Sequence, residues 1–405
     1  MQKKEVEISL DFSTILAKLN KIHLALLALI VIFYLSFSVR LETVNEPYLL
    51  AADPHYWYRM TKFVIEGAPE YDTLRLWPEP PKFNPGLYPY LAAYSYKIVN
   101  LITGVEFYRF LFWFPAFVTA LSIFPAFWIG RELHSNKAGL FSAFFIGLTP
   151  SILSRTMGGF FDTDCTNIFF SLLVIALFLS AYNRVNNIKK ALALSFLSGL
   201  SLASFALIWS GYSYISWLFI GLLVFHWIYQ IIVASGRNLI EKFKNSWLFF
   251  KAHFLVYIII FITFILVTFP FIGFNSIKQI IGTTTFFQTA KAEGGIFPNV
   301  WVSISEEMHA STWEIMARVG VPIFCFGLLG IFFLFILSLT NLKKKPIYPE
   351  TFIFMALWIL PTLYGSFWAI RFTMLLALPL SISAGIALGI LFDFCIKQIK
   401  YGREK

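Results

Sequence analysis

Apolar runs of about 18 to 25 residues recur along nearly the whole chain, and this constrains the fold more than any other feature of the sequence. An α-helix needs about 20 residues to cross roughly 30 Å of hydrocarbon, whereas an outer-membrane barrel would show shorter, alternating segments. The runs lie at about 22–40, 106–130, 138–153, 165–182, 191–208, 212–234, 252–272, 319–340, 351–367 and 372–395. Residues 191–234 can be divided in more than one way, and 86–101, "GLYPYLAAYSYKIVNL", reads as a partial or interfacial helix. The expected fold class is therefore all-α, a polytopic transmembrane protein with about 10–13 spans. With 58% hydrophobic and 13% charged residues, an ordinary water-soluble domain is excluded.

The net charge of +10 does not indicate nucleic acid, because the basic residues fall in short blocks between apolar runs and form no continuous stripe. Their alternation reads as membrane orientation. Lys3, Lys4, Lys18 and Lys21, the region of Arg131 and Lys137, the loop 183–190, the segment 236–251, "NLKKK" at 341–345 and the tail 397–405 all go to the cytoplasm. Residues 1–21 then form a cytoplasmic amphipathic terminus, 22–396 the membrane domain, and 397–405 a basic cytoplasmic tail. Three connections face outward, at about 41–105, 154–164 and 273–317. Cys165, Cys325 and Cys395 are odd in number and widely spaced in or near apolar runs, which fits neither a disulfide framework nor a zinc site.

Two long connections on one face suggest where function resides. They are rich in Trp, Tyr, Phe and Pro, which alone would describe no more than an interfacial aromatic belt. The charged residues say more. "AADPHYWYRM" supplies Asp53 and His55, "SRTMGGFFDTD" supplies Arg155, Asp162 and Asp164, "FPNVWVSISEEMHAS" supplies Glu306 and Glu307, and "GSFWAIRFTM" supplies Arg371. Each alone would pass for a solvated carboxylate or a snorkelling cation. Together they bring four distant segments to one membrane face. Asp162 and Asp164 sit against an apolar flank, where an unpaired carboxylate is costly. Carboxylates gathered from separate loops make an all-oxygen site suited to Mg²⁺ or Mn²⁺. A divalent ion beside a guanidinium at the edge of a bilayer suits a substrate with a phosphate head and a lipid tail. A lipid-phosphate-sugar donor fits that description.

These segments resemble the catalytic subunit of oligosaccharyltransferase, the membrane enzyme of protein N-glycosylation. "DPHYWYR" resembles the family's first acidic motif and "SRTMGGFFDTD" its second. "PNVWVSISE", with Ser303, Ile304, Ser305 and Glu306, resembles the glutamate-bearing signature of its fifth external loop. "RFTMLLALP" resembles the arginine-bearing helix that follows. The resemblance implies a GT-C type fold with two long external loops, lying in an archaeal or bacterial plasma membrane with its active site outside. It implies an inverting, metal-dependent transfer of a glycan from a lipid-linked, dolichyl or other polyprenyl (pyro)phosphate donor to asparagine in an Asn-x-Ser/Thr acceptor polypeptide. Asp53, Asp162 and Glu306 are then the catalytic candidates, and Asp53, Asp162 and Asp164 or Glu306 the ligands of Mn²⁺ or Mg²⁺. Arg371 would contact the donor pyrophosphate, and Arg155, Ser303 and His55 complete the substrate-binding set.

Family members also carry a last transmembrane helix and a soluble external domain with a tryptophan-tryptophan-aspartate-tyrosine-glycine motif, which reads the acceptor sequence. The present chain ends at "CIKQIKYGREK", so the expectation is a membrane half without that domain, with a separate chain as one possible source of sequon reading. Glycines at 282, 294 and 295 suggest an external segment that orders when substrate arrives. Three other readings stand beside this one. A different GT-C enzyme using a lipid-phosphate sugar would share the first acidic motif. A transporter or flippase would carry mid-membrane charges and repeats. A third is a non-catalytic assembly subunit.

Overall fold

The computed structural model describes residues 21–75, 78–289, 305–340 and 348–403. Ser303, Gly294 and Gly295 lie outside these residues, as does most of the amphipathic N-terminus. In chain order the helices are α1 (Lys21–Arg40), α2 (Ala52–Glu66), α3 (Leu87–Thr103), α4 (Phe107–Leu121), α5 (Ile123–Leu133) and α6 (Asn136–Leu148). They continue with α7 (Pro150–Leu153), α8 (Asp164–Tyr182), α9 (Ile188–Ile208), α10 (Ser213–Val233), α11 (Leu239–Ile272) and α12 (Asn275–Thr289). The last four are α13 (Thr312–Val319), α14 (Val321–Thr340), α15 (Tyr348–Trp368) and α16 (Thr373–Arg403). Among the described residues nine helical segments are long and apolar enough to cross a membrane, and the protein is an all-α integral membrane protein.

Nine of the ten apolar runs correspond to these segments. The tenth, 138–153, is interrupted at Thr149, because Pro150 favours a new helix start and biases the preceding residue toward extended backbone. Two connections hold more structure than expected. Residues 41–105 hold α2 in addition to α3, which matches the helix expected at 86–101, and part of 273–317 forms α12. The basic stretch before 252 is the first part of α11, a 34-residue helix whose N-cap, Asn238, accepts from the Glu241 amide.

The main core runs through α8, α9, α10, α11, α15 and α16, with Phe178, Phe205, Phe219, Tyr257, Phe264 and Trp358 nearly or fully buried. On α1, Leu26, Leu27, Ile30 and Val31 are exposed, as a lipid-facing helix requires. Small residues permit close helix approach where the apolar effect gives little drive. A Cβ on Gly330 would lie 2.0 Å from the Ser383 carbonyl oxygen, so α14 and α16 meet backbone to backbone.

A second, aromatic cluster lies under the 41–105 segment, where Tyr88 on α3 packs 5.2 Å from Phe161 and 6.0 Å from Phe114. At the opposite end, polar side chains tie helices together. Tyr182 donates to Glu350 Oε2 at 3.0 Å and lies 2.8 Å from His226 Nδ1, while Gln230 donates to Glu350 Oε1 at 3.2 Å. This network joins α8, α10 and α15. Nearby in the sequence, Arg184 pairs with Glu132 at 2.8 Å and joins the end of α8 to α5.

Candidate functional site

Residues 154–163 leave α7 and turn into α8 beneath the end of α1. Two glycines make the turn possible. A Cβ on Gly158 would lie 3.1 Å from the Arg40 carbonyl that accepts its N–H, and Gly159 has φ +87° with the Phe112 ring 2.7 Å from where a Cβ would be. The segment therefore lies close over the aromatic cluster and delivers Asp162, 7% exposed, above Phe161. One Asp162 carboxylate oxygen accepts the Thr163 amide at 2.5 Å and the Thr163 hydroxyl at 3.2 Å. Burial, reinforced by the negative charges of Asp164 and Asp53 and opposed by the Thr163 amide, pushes the Asp162 carboxyl up to about 7.

Asp164 is the first residue of α8, where the helix dipole favours an anion. Its Oδ2 accepts from Arg155 Nε at 3.0 Å, and Arg155 Nη1 donates to Glu306 Oε1 at 2.6 Å. The guanidinium also lies 4.9 Å over the Phe160 ring. Burial works against the charge of Arg155, but Asp164 and Glu306 outweigh it and raise its pKa. One arginine thus bridges the D-x-D segment to the glutamate signature, Arg155 and Glu306 being 151 positions apart in the sequence.

Glu306 and Glu307 share a 3-10 turn, Ser305–Glu307. Glu306 faces Arg155, whereas Glu307, only 4% exposed, accepts from Arg371 Nη1 at 2.6 Å. Arg371 comes from the short turn Ile370–Phe372 between α15 and α16. Backbone hydrogen bonds lock these two turns together, Ile370 N–H to Met308 O at 3.0 Å and Ala310 N–H to Phe367 O at 3.3 Å. Arg371 is also near enough to Asp164 to interact electrostatically.

Asp53 lies in the first turn of α2, exposed, and close enough to Asp162 to act on its charge. His55 follows two residues later, which turns it away from the face of Asp53. It is exposed and makes no hydrogen bond or ion pair among the described residues. Asp53, Asp162, Asp164, Glu306, Arg155 and Arg371 thus come into one electrostatic neighbourhood, and His55 stays at its edge. Among the described residues no three His, Cys, Asp or Glu side chains approach closely enough to hold a metal ion.

Beside this group opens a cavity of about 890 Å³ between α10, α12 and α15. Trp209, Tyr214, Trp217 and Trp358 give it an aromatic wall, and Lys278, Glu307 and Arg371 its polar groups. Sequence reasoning singled out Arg371 and passed over Lys278 and the particular part of Glu307. The doublet Glu306-Glu307 was the only signal for the latter, since two adjacent acids on a tight turn point in different directions.

An acidic and guanidinium cluster at one end of an all-α membrane bundle, beside a largely apolar cavity, defines an integral membrane protein with a charged site at the end of its helices. The chain belongs to the family described as oligosaccharyl transferase STT3, N-terminal, whose model matches residues 21–402. It is 27% identical over 433 residues to a dolichyl-phosphooligosaccharide-protein glycotransferase of Methanococcus voltae, a match covering 93% of this chain and 47% of that protein. Its fold is that of the Archaeoglobus fulgidus oligosaccharyltransferase in complex with an inhibitory peptide and a dolichol-phosphate. That match has a TM-score of 0.68 and 17% identity, and covers 95% of this chain and 52% of that one. The A. fulgidus enzyme in complex with Zn and sulfate matches with a TM-score of 0.58 and 17% identity, over 92% and 50% of the two chains. The chain spans about half the length of these relatives.

Proposed function

We propose that this chain carries the transfer site of an oligosaccharyltransferase, acting at the outer face of the membrane. It would move a glycan from a lipid-linked (pyro)phosphate donor to the side-chain amide of asparagine in an acceptor polypeptide, with inversion at the anomeric carbon. The observation that carries this reading is the pair of adjacent glutamates, one held by Arg155 beside Asp164 and the other by Arg371 at the apolar cavity. This supports a reading in which acceptor chemistry and donor phosphate lie on two sides of one three-residue turn.

In this reading the cavity takes the polyprenyl tail, because its aromatic wall offers apolar area while Lys278 and Arg371 line it as cationic groups. Arg371 receives the donor phosphate through a planar guanidinium that can make paired hydrogen bonds. Glu306 and Asp53 accept the two N–H bonds of the asparagine amide. An amide resists loss of its C–N conjugation by about 18–20 kcal/mol in the related backbone bond, so holding both hydrogens out of plane frees the nitrogen lone pair. A C–N bond then forms at the anomeric carbon as the bond to the phosphate oxygen breaks, that electron pair leaves with the lipid phosphate, and the nitrogen gives up one of its two protons to the carboxylate that accepts it.

In donor chemistry the all-oxygen set of Asp53, Asp162 and Asp164, with Glu306 as a further ligand, suits Mn²⁺ or Mg²⁺, and these carboxylates would have to draw closer together to hold the ion. Burial, with the charges of Asp164 and Asp53 beside it, raises the Asp162 pKa, and a bound cation would offset that penalty on the ionised carboxylate. When bound, the ion would neutralise charge gathering on the leaving phosphate. Arg155 keeps Asp164 and Glu306 apart and oriented. The test is transfer from a lipid-pyrophosphate donor to a fluorescent Asn-x-Thr peptide by the purified protein, with Mn²⁺ or with EDTA. Metal-dependent transfer that disappears in Asp53→Ala is expected. Donor binding with no modified asparagine, the sugar appearing on a lipid or a hydroxyl instead, would overturn the assignment.

A further inference from the structure

Arg40, the last residue of α1, has no solvent exposure and no carboxylate partner among the described residues. Its Nη1 donates to the carbonyls of Ser36 and Gly147, both at 2.7 Å, and lies 2.8 Å from Ser36 Oγ. Its Nε donates to Thr156 Oγ1 at 3.0 Å, and its own carbonyl accepts the Gly158 N–H at 2.7 Å. Nη2 has no hydrogen-bond partner among the described residues. Three parts of the chain therefore meet on one side chain: the end of α1, the end of α6 and the segment 154–163. Thr156 adjoins Arg155, the arginine that bridges Asp164 and Glu306. Two further contacts tie the same segment to the chain that follows α1. Thr43 Oγ1 donates to the Gly158 carbonyl at 2.7 Å, and the Leu50 N–H to the Gly159 carbonyl at 3.2 Å.

A buried, unpaired guanidinium is a poor device for stability, since an apolar side chain of similar length avoids the desolvation cost altogether. Its neighbours do not depend on it for satisfaction. Thr156 Oγ1 also donates to the Ile152 carbonyl at 2.7 Å, and the Gly147 carbonyl also accepts from Ser36 Oγ at 3.3 Å. What an apolar residue could not supply is a rigid fork of donors that fixes Thr156 relative to α1 and α6.

We propose that Arg40 is a positioning residue for the transfer site, holding the base of the 154–163 segment so that Arg155, Asp162 and Asp164 keep their register against Glu306. This rests on the transfer reading given above. The prediction is loss of turnover with little loss of fold, because a displacement of about 1 Å at a reacting site costs on the order of 100-fold in rate.

The experiment compares Arg40→Met, Arg40→Lys and Thr156→Val in the full chain by hydrogen-exchange mass spectrometry and steady-state transfer. In Arg40→Met, exchange of peptides spanning 154–163 should accelerate about tenfold while the core of α8 and α16 is unchanged, as expected of a local opening. Its kcat should fall about tenfold or more with both KM values within about twofold. Arg40→Lys, which keeps a charge and loses the fork, should recover part of the rate. Thr156→Val should reproduce part of both effects and add little to Arg40→Met, since the two side chains act through one contact. If Arg40→Met does not fold, Thr156→Val decides alone. Unchanged exchange in 154–163, or unchanged kcat with altered exchange, overturns the proposal. If the wild type forms no glycopeptide, the transfer reading fails, and the exchange comparison still accepts or rejects the clamp.

Discussion

Replacing Arg155 by Met removes both arms of the bridge between the D-x-D segment and the glutamate turn. Each arm is a charge-assisted hydrogen bond, 3.0 Å to Asp164 and 2.6 Å to Glu306. Such bonds contribute about 1.5–3 kcal/mol when shielded from solvent. Asp164 is 14% exposed and keeps most of that value, so we assign its arm about 2 kcal/mol. Glu306 is 39% exposed and solvent screens it, which reduces its arm to about 1 kcal/mol. The sum, about 3 kcal/mol, corresponds to a roughly 100-fold loss in kcat/KM if the bridge is fully used in the transition state. Arg155→Lys keeps a point charge that satisfies one carboxylate at a time, so it should lose only about tenfold. The assay is initial-rate transfer to a fluorescent Asn-x-Thr peptide at saturating Mn²⁺, with unfolding followed in parallel to confirm equal amounts of folded protein. A loss below about threefold for Arg155→Met, or equal rates for the Lys and Met variants, would refute the view that the bridge sets the geometry of the acidic group.

Three further outcomes follow from the same geometry. In EDTA the protein should become less stable as pH rises from about 4 towards 7. The folded state holds the Asp162 proton up to about pH 7, whereas the unfolded carboxyl ionises near its ordinary value of 3.8, so the native state binds more protons in that window. Thermal unfolding at pH 5 and 7.5 should show this slope in wild type and not in Asp162→Asn, and equal slopes would sink the idea. Glu307→Gln keeps an acceptor for Arg371 but removes the buried counter-charge, so the donor KM should fall several-fold, while Arg371→Ala should raise it; a rise in both variants would count against donor phosphate at Arg371. Gly330→Val should lower the melting temperature markedly, because even a Cβ there would sit 2.0 Å from the Ser383 carbonyl oxygen, and an unchanged melting curve would show that α14 and α16 can separate at little cost.

Span positions were legible in the sequence because a bilayer demands long apolar runs, and those runs coincide with helices such as Val321–Thr340 almost residue for residue. The segment 41–105 was not legible in the same way. Its helix Ala52–Glu66 is short and mixes Asp53, His55 and Arg59 with aromatics, so neither length nor hydropathy announces it. What defines that region is tertiary: Arg59 grips Asp72 through both carboxylate oxygens at 2.8 and 3.0 Å, and Tyr88 packs on Phe161. In the candidate site, the D-x-D spacing and the glutamate doublet could be read directly. Which arginine meets which carboxylate could not, since Arg155–Glu306 and Arg371–Glu307 are set by helix packing across 151 and 64 residues. Arg40 escaped notice because, at the end of an apolar run, a basic residue looks like an ordinary flanking charge.

The network of Tyr182, His226, Gln230 and Glu350 fastens α8, α10 and α15 at the end of the bundle away from the cavity. Two of these helices, α10 and α15, also form walls of the cavity. They resemble the arms of a pair of tongs joined at the far end. Under the transfer reading, any widening that admitted a lipid tail would be largest at the end of the cavity helices that lies away from this joint and would vanish toward the pivot. The depth to which such a tail could enter would then be limited by the joint, and a long polyprenyl chain would leave its remaining units in the bilayer.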